Sequence, residues 1–118
     1  MLAPLRASDP AKGDHKDVER LLDVVTLRKK KLDGTKVAVA IVDTGVNIAH
    51  LKSLGLKPKL DKNVFWAPPG IPHTPGAYSV DHGTMCAFDA MIAAPNCTLL
   101  DFPVLQSATP GGSAMAGS

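Results

Sequence analysis

The sequence has little cysteine and no long apolar run, and each absence excludes a class of protein. Cys86 and Cys97 are the only cysteines among 118 residues, too few for a disulfide framework, and their apolar neighbours predict two buried free thiols. No apolar run reaches the length of a membrane span. The first 15 residues lack the apolar segment of a secretory signal, so a cytoplasmic protein without membrane partners is expected.

Basic side chains are absent from the second half of the chain. All 13 lysine and arginine residues lie at or before Lys62, so residues 1–62 carry a formal charge of about +5 and residues 63–118 about −3. The net charge of +2 is too small to predict a nucleic-acid partner. Because self-contained domains intersperse both signs over their surface, this imbalance favours a second half that lies in the interior of something larger.

The apolar patterns alternate between helix and strand, which predicts an α/β fold. Residues 14–34 are expected to form one amphipathic helix because apolar side chains recur at helical spacing. These apolar residues are Val18, Leu21, Leu22 and Val25. The uninterrupted Val/Ile/Ala run in 36–42 predicts a strand covered on both faces of a parallel sheet. A short strand over 63–66, a helix over 82–94 and a strand over 98–104 complete the prediction.

Two polar residues stand where an α/β sheet places its ligands. Asp43 directly follows the first predicted strand, at its carboxyl end, and His82 begins the predicted helix that follows. A carboxylate that accepts a hydrogen bond from one ring nitrogen leaves the other nitrogen free to take a proton from a nucleophile. The spacing alone leaves the ordinary alternative open, in which Asp43 is a turn residue and His82 a surface or capping group.

Three segments resemble the subtilisin-like serine proteases, or subtilases. The segment VAVAIVDTGVNIAH, residues 37–50, resembles the subtilase Asp motif, and HGTMCAFDAMIAA, residues 82–94, resembles the His motif. The segment APNCTLLDFPVL, residues 94–105, is similar to the strand that follows. The order Asp then His is that of subtilisin. The resemblance implies a serine-type endopeptidase with a doubly wound, mainly parallel sheet and helices on both faces.

The resemblance also implies a domain division and roles for individual residues. Residues 1–35 would be an N-terminal arm and helix, and residues 36–118 the N-terminal part of a truncated catalytic domain, whose missing C-terminal half would be its partner. Asp43 would be the orienting carboxylate and His82 the general base of an Asp-His-Ser triad that cleaves a peptide or protein substrate. Thr44 and Gly45 would shape the turn after Asp43.

The remaining motif residues are expected to have supporting roles. Gly83 and Thr84 would let the start of the helix pack tightly against the strand that carries Asp43. His50 belongs to the Asp motif and is interpreted as structural. His73 matches nothing in the family pattern, and its position in a proline-rich loop predicts exposure to solvent.

The nucleophile expected of a subtilase is not found. The tail GGSAMAGS contains Ser113, but it lacks the threonine of the family's serine motif and follows too closely on His82. Gly112 and Ser113 are instead expected to border the substrate-binding groove. The chain alone is therefore expected to be inactive, and the alternative is a non-catalytic remnant or binding domain with a subtilase-like fold.

No cofactor and no metal are predicted. His82 and Cys86 lie one helical turn apart, and His73 or Cys97 could in principle add a ligand for zinc. No Cys-x-x-Cys pair or His-x3-His pair completes a recognised zinc set, and no cluster of carboxylates predicts a calcium site.

Overall fold

The computed structural model describes residues 13–105 of the chain. It contains four helices and three strands in this range. The helices are α1 (His15–Leu21), α2 (Val24–Lys29), α3 (Ile48–Ser53) and α4 (His82–Ala93), and the strands are β1 (Ala38–Val42), β2 (Lys59–Leu60) and β3 (Thr98–Phe102). The predicted α/β class is confirmed at this coarse level.

The three strands form one parallel sheet in the order β1-β3-β2. The register pairs Ala38 with Thr98 and Val42 with Phe102, while Lys59 pairs with Thr98 on the other side of β3. All three carboxyl ends therefore meet at one edge of the sheet. Within the described part of the chain β1 has one neighbouring strand, and Ile41 is its only buried residue, so the expected burial of this strand on both faces is wrong for these residues.

The core lies between the sheet and α4. Buried apolar side chains from β1, α3, α4, β3 and two of their connecting segments meet there: Ile41, Val46, Leu51, Ala87, Met91, Cys97 and Leu99. Cys97 is a buried free thiol, as predicted, whereas Cys86 is a free thiol that is only half-buried. Helix α4 confirms the predicted helix over 82–94, and its buried face, which includes Ala87 and Met91, joins it to the core.

The predicted single helix over 14–34 is wrong. Two short helices stand in its place because Asp23 adopts the left-handed conformation, with φ at 51°. The Asp23 carboxylate accepts hydrogen bonds from the Thr26 backbone N–H and from its hydroxyl, and this local capping competes with a continuous helix. As a result Val24 is buried, while the four residues that suggested the apolar face are exposed: Val18, Leu21, Leu22 and Val25.

Two other boundaries differ from the prediction. Residues 63–66 are exposed and form no strand, and the edge strand β2 instead lies just before them. The strand predicted over 98–104 ends at Phe102, next to Pro103, which has no backbone N–H to donate. Helix α3 was not predicted. Across residues 13–105, no helix has both the length and the apolar character needed to cross a membrane.

Candidate active site

Asp43 is held at the carboxyl end of β1 by two backbone hydrogen bonds. Its N–H donates to the Phe102 carbonyl (N···O 3.1 Å), and its carbonyl accepts from the Leu105 N–H (N···O 3.0 Å). These bonds extend the pairing of β1 with β3 beyond the strand end. Asp43 is also buried. Its backbone is therefore fixed at this edge of the sheet, and its side chain has little freedom to turn into solvent.

His82 is placed by the start of α4. Asp81 caps the helix, and its carboxylate accepts the His82 backbone N–H at 2.7 Å. Gly83 follows, and a Cβ at that position would lie 2.3 Å from the Gly45 carbonyl oxygen. Because real Cβ atoms do not approach backbone so closely, only glycine lets α4 begin against the turn after Asp43. The predicted tight packing of Gly83 is found against the turn after Asp43 rather than against the strand itself.

Two threonine hydroxyls connect the turn after Asp43 with the start of α4. The Thr44 Oγ1 accepts the Gly83 N–H at 2.9 Å, and the Thr84 Oγ1 accepts the Asn47 N–H at 2.9 Å. Asn47 in turn caps α3 by accepting the His50 backbone N–H at 2.8 Å. The role of Asn47 was not predicted, although an Asn one residue before a helix is a usual capping signal.

The side chains of Asp43 and His82 converge. The Asp43 Oδ2 lies 2.7 Å from the His82 Nδ1, and the second oxygen, Oδ1, accepts the Thr44 N–H at 2.7 Å. The His82 side chain is 71% exposed, so most of the imidazole faces solvent. With its carboxylate as acceptor, Asp43 favours the tautomer that carries the proton on Nδ1 and leaves Nε2 as a base.

The electrostatics of Asp43 favour its charged form. Burial would raise the pKa of this carboxyl, but the Thr44 N–H and the hydrogen bond and charge of His82 outweigh it, so the pKa lies below its usual value. Asp43 is therefore ionised at neutral pH and can stabilise a proton on the imidazole of His82.

Cys86 completes a group of three side chains. Its Sγ lies 3.6 Å from the Asp43 Oδ2 and 3.5 Å from the His82 Nδ1. Burial and the neighbouring Asp43 carboxylate raise the pKa of this thiol. One ligand atom from each of Asp43, His82 and Cys86 lies within 4.8 Å of the others. The neighbourhood of His82 and Cys86 was predicted from their spacing, whereas the expected third residue was His73 or Cys97 and not Asp43.

The predicted exposure of His73 is wrong. Its side chain is only 3% exposed, and its Nε2 lies 3.4 Å from the Oδ2 of fully buried Asp101. The same carboxylate oxygen accepts the Gly76 N–H at 2.8 Å. Burial raises the pKa of Asp101. This pair ties the proline-rich loop to β3, and its signal in the sequence was an acid in an otherwise apolar strand.

The structure places Asp43 and His82 together, but within residues 13–105 it brings no serine hydroxyl to them, and the thiol beside them is that of Cys86. Gly112 and Ser113 lie outside the described residues, so their expected place beside a groove stays a prediction. Among residues 13–105, no serine hydroxyl forms a hydrogen bond with the ring of His82; its ring contacts Asp43 and Cys86. The catalytic roles of Asp43 and His82 also remain predictions.

The chain was compared with known proteins in three ways. No family model matches the sequence, no curated protein matches it, and no solved structure matches its fold.

Proposed function

We propose that this chain supplies the Asp–His part of a subtilisin-like serine endopeptidase, with Asp43 as the orienting carboxylate and His82 as the general base. The observation that carries the proposal is the 2.7 Å contact between the Asp43 Oδ2 and the His82 Nδ1. The Asp-Thr-Gly and His-Gly-Thr sequences around the two residues support it, because their small and hydroxyl-bearing residues make the contacts that hold the pair.

The pair would act through the tautomer of the imidazole. The Asp43 carboxylate accepts a hydrogen bond from the Nδ1–H of His82, so the basic lone pair of the imidazole is on Nε2. A serine hydroxyl placed at Nε2 would lose its proton to His82 as its oxygen attacks the carbonyl carbon of a peptide bond. The imidazolium would then return that proton to the leaving amine, while the Asp43 carboxylate stabilises the positive charge.

The nucleophile and the oxyanion donor would come from residues outside 13–105. A subtilase also needs a larger, doubly wound sheet, in which β1 would gain cover. The exposure of Val37 and Val42 supports this part of the proposal, since both apolar side chains would be buried under further elements. We expect no endopeptidase activity from the 118-residue chain alone.

The test begins with the longest open reading frame that contains residues 1–118. We expect its protein to hydrolyse a chromogenic peptide and to be labelled by a fluorophosphonate on a serine beyond residue 118. In subtilisin, loss of the catalytic His costs about 10⁶ in kcat and loss of the Asp about 10⁴. His82→Ala and Asp43→Asn should cause losses of that order.

A matched control separates catalysis from folding. His50→Ala alters another histidine of the same motif, one that contributes its backbone N–H to the Asn47 cap, and should keep activity within a few-fold of the parent. A protein that is folded but neither labelled nor active would contradict the proposal and favour the non-catalytic binding domain. Labelling of Ser113 would contradict the expected position of the nucleophile.

A further inference from the structure

Three different kinds of metal-ligand atom lie close together at the carboxyl end of β1, on the side chains of Asp43, His82 and Cys86. His82 and Cys86 lie on the same face of α4, four residues apart, and Asp43 reaches them from the end of β1. The ligand atoms are the Asp43 Oδ2, the His82 Nδ1 and the Cys86 Sγ, all within 4.8 Å of one another. Carboxylate, imidazole and thiolate are each ordinary ligands of Zn²⁺.

The distances between these atoms can be compared with those of a tetrahedral zinc ion. With Zn–S of about 2.3 Å and Zn–N or Zn–O of about 2.0 Å, a tetrahedron separates sulfur from nitrogen or oxygen by about 3.5 Å. The observed separations from the Cys86 Sγ are 3.5 Å to His82 and 3.6 Å to Asp43. Both already have the spacing that a shared zinc ion requires.

The third separation is shorter and shows what binding would change. A tetrahedral ion holds a nitrogen and an oxygen ligand about 3.3 Å apart, whereas the Asp43 Oδ2 and the His82 Nδ1 are 2.7 Å apart. If the distance between these two atoms increased by about 0.6 Å, two bonds to the metal could replace their hydrogen bond. The exposed His82 side chain has the freedom for this movement, so the buried Asp43 need not move.

We propose that Asp43, His82 and Cys86 form an open three-ligand site for Zn²⁺ or a similar divalent cation. The fourth ligand would be water, because the site opens to solvent on the side of His82. On binding, Cys86 releases its thiol proton to solvent, and His82 moves its ring proton from Nδ1 to Nε2. The sequence-based prediction of no metal did not consider Asp43 as a ligand.

Metal binding and the proposed relay exclude each other. A metal on Nδ1 removes the hydrogen bond to Asp43 and leaves a proton on Nε2, where the relay needs a basic lone pair. Zinc would therefore inhibit the peptidase reversibly. This consequence, unlike the metal site itself, rests on the proposed function.

The metal site is tested by titrating the purified 118-residue chain with Co²⁺ and then displacing it with Zn²⁺. We expect one ion per chain and a thiolate-to-cobalt charge-transfer absorption that disappears when Zn²⁺ is added. Cys86→Ser should abolish that absorption and weaken Zn²⁺ binding by at least about tenfold, since a lost ligand should cost no less than a lost supporting contact. His82→Ala should weaken binding by a similar factor.

Cys97→Ala provides the matched control, because Cys97 is the other thiol and is fully buried in the core. It should leave the stoichiometry and the absorption unchanged. Circular dichroism with and without urea identifies any variant that is unfolded, and alkylation of Cys86, read by peptide mass, gives a second measurement on the parent chain. Zn²⁺ should slow that alkylation at least about tenfold, as expected for a ligated thiolate.

Two results would overturn the site. One is the absence of saturable binding by the folded parent chain, and the other is binding that Cys86→Ser and His82→Ala leave unchanged. Neither readout requires peptidase activity, so the metal site and the proposed function can fail separately. Binding with no activity in the longer protein would leave the site and remove only its inhibitory consequence.

Discussion

Two regions of this chain are built in opposite ways. Helices α1 and α2 begin at local caps: Asp14 and Asp17 make a capping box at the start of α1, Asp23 caps α2, and α1 buries none of its residues. The turn after β1 and the start of α4 are instead held by contacts between residues about 40 positions apart, such as the Thr44 Oγ1 with the Gly83 N–H. The cap of α1 is made within its own first turn, whereas the site is fixed by contacts between residues that are distant in the sequence.

The largest difference between the regions should appear on truncation of a leucine. Leu51 is fully buried in the core, while Leu21 on α1 is 85% exposed. Leu51→Ala should lower the free energy of unfolding by about 2–5 kcal/mol, because it removes buried apolar atoms and leaves a cavity. Leu21→Ala should change it by less than about 0.5 kcal/mol. Urea denaturation of both variants measures the contrast, and equal effects would show that α1 packs more tightly than described.

Gly83→Ala should have the next largest effect on the free energy of unfolding, and it should destabilise the protein where such a change in a helix usually stabilises it. In an exposed helix interior, replacing Gly by Ala gains up to about 1 kcal/mol. Here the new Cβ would meet the Gly45 carbonyl oxygen at 2.3 Å, so we expect a loss of about 1–3 kcal/mol from overpacking. Asp89→Ala, at an exposed position of the same helix, should stabilise by a few tenths of a kcal/mol, the usual propensity gain. A stabilising Gly83→Ala would disprove the close contact.

Two threonines, one in each region, allow the two regions to be compared by the removal of one hydroxyl group. Thr84 is fully buried and accepts the Asn47 N–H, whereas Thr26 is half-buried and donates to Asp23 in an exposed hydrogen bond. Thr84→Val keeps the shape but leaves a donor unsatisfied, at a cost of about 1–3 kcal/mol. Thr26→Val should cost less than about 1 kcal/mol, the low end for an exposed bond. Thermal unfolding of the two variants gives the ranking, and its reversal would contradict this comparison.

The contrast between local signals and long-range contacts also explains which features could be predicted from the sequence. Asp43 and His82 were predictable because each follows a local pattern: a strand that ends in Asp-Thr-Gly and a helix that begins with His-Gly-Thr. The partnership of His73 with Asp101 was not predictable. A lone acid in an apolar strand marks Asp101, but nothing local identifies its partner, which reaches it from a loop by tertiary contact. The division of the first helix was also missed, because one capping side chain, Asp23, overrode an apolar periodicity.

The smallest predicted effect concerns the loop between the two regions. Asp33 accepts hydrogen bonds from Thr35 and from the Asn96 side chain, and these bonds lower its pKa to about 2. Since this value lies below the ordinary value of about 3.9, its stabilising contribution is present above about pH 4 and is lost as the pH falls toward about 2.

Asp33→Asn should therefore flatten the dependence of stability on pH in that window. Urea denaturation of the parent and the variant at several acidic pH values measures the two slopes. Identical slopes would mean that the Asp33 carboxylate is not held by Thr35 and Asn96 in solution.

The most direct test of the central claim is the tautomer of His82, measured by ¹H–¹⁵N NMR of the imidazole in the metal-free chain. At a pH above about 8, where an ordinary imidazole is neutral, we predict a ring proton on Nδ1, hydrogen-bonded to Asp43, and a bare Nε2. Asp43→Asn should shift the population toward a proton on Nε2. A parent chain that carries the proton mainly on Nε2, with no response to Asp43→Asn, would contradict the proposed Asp–His relay.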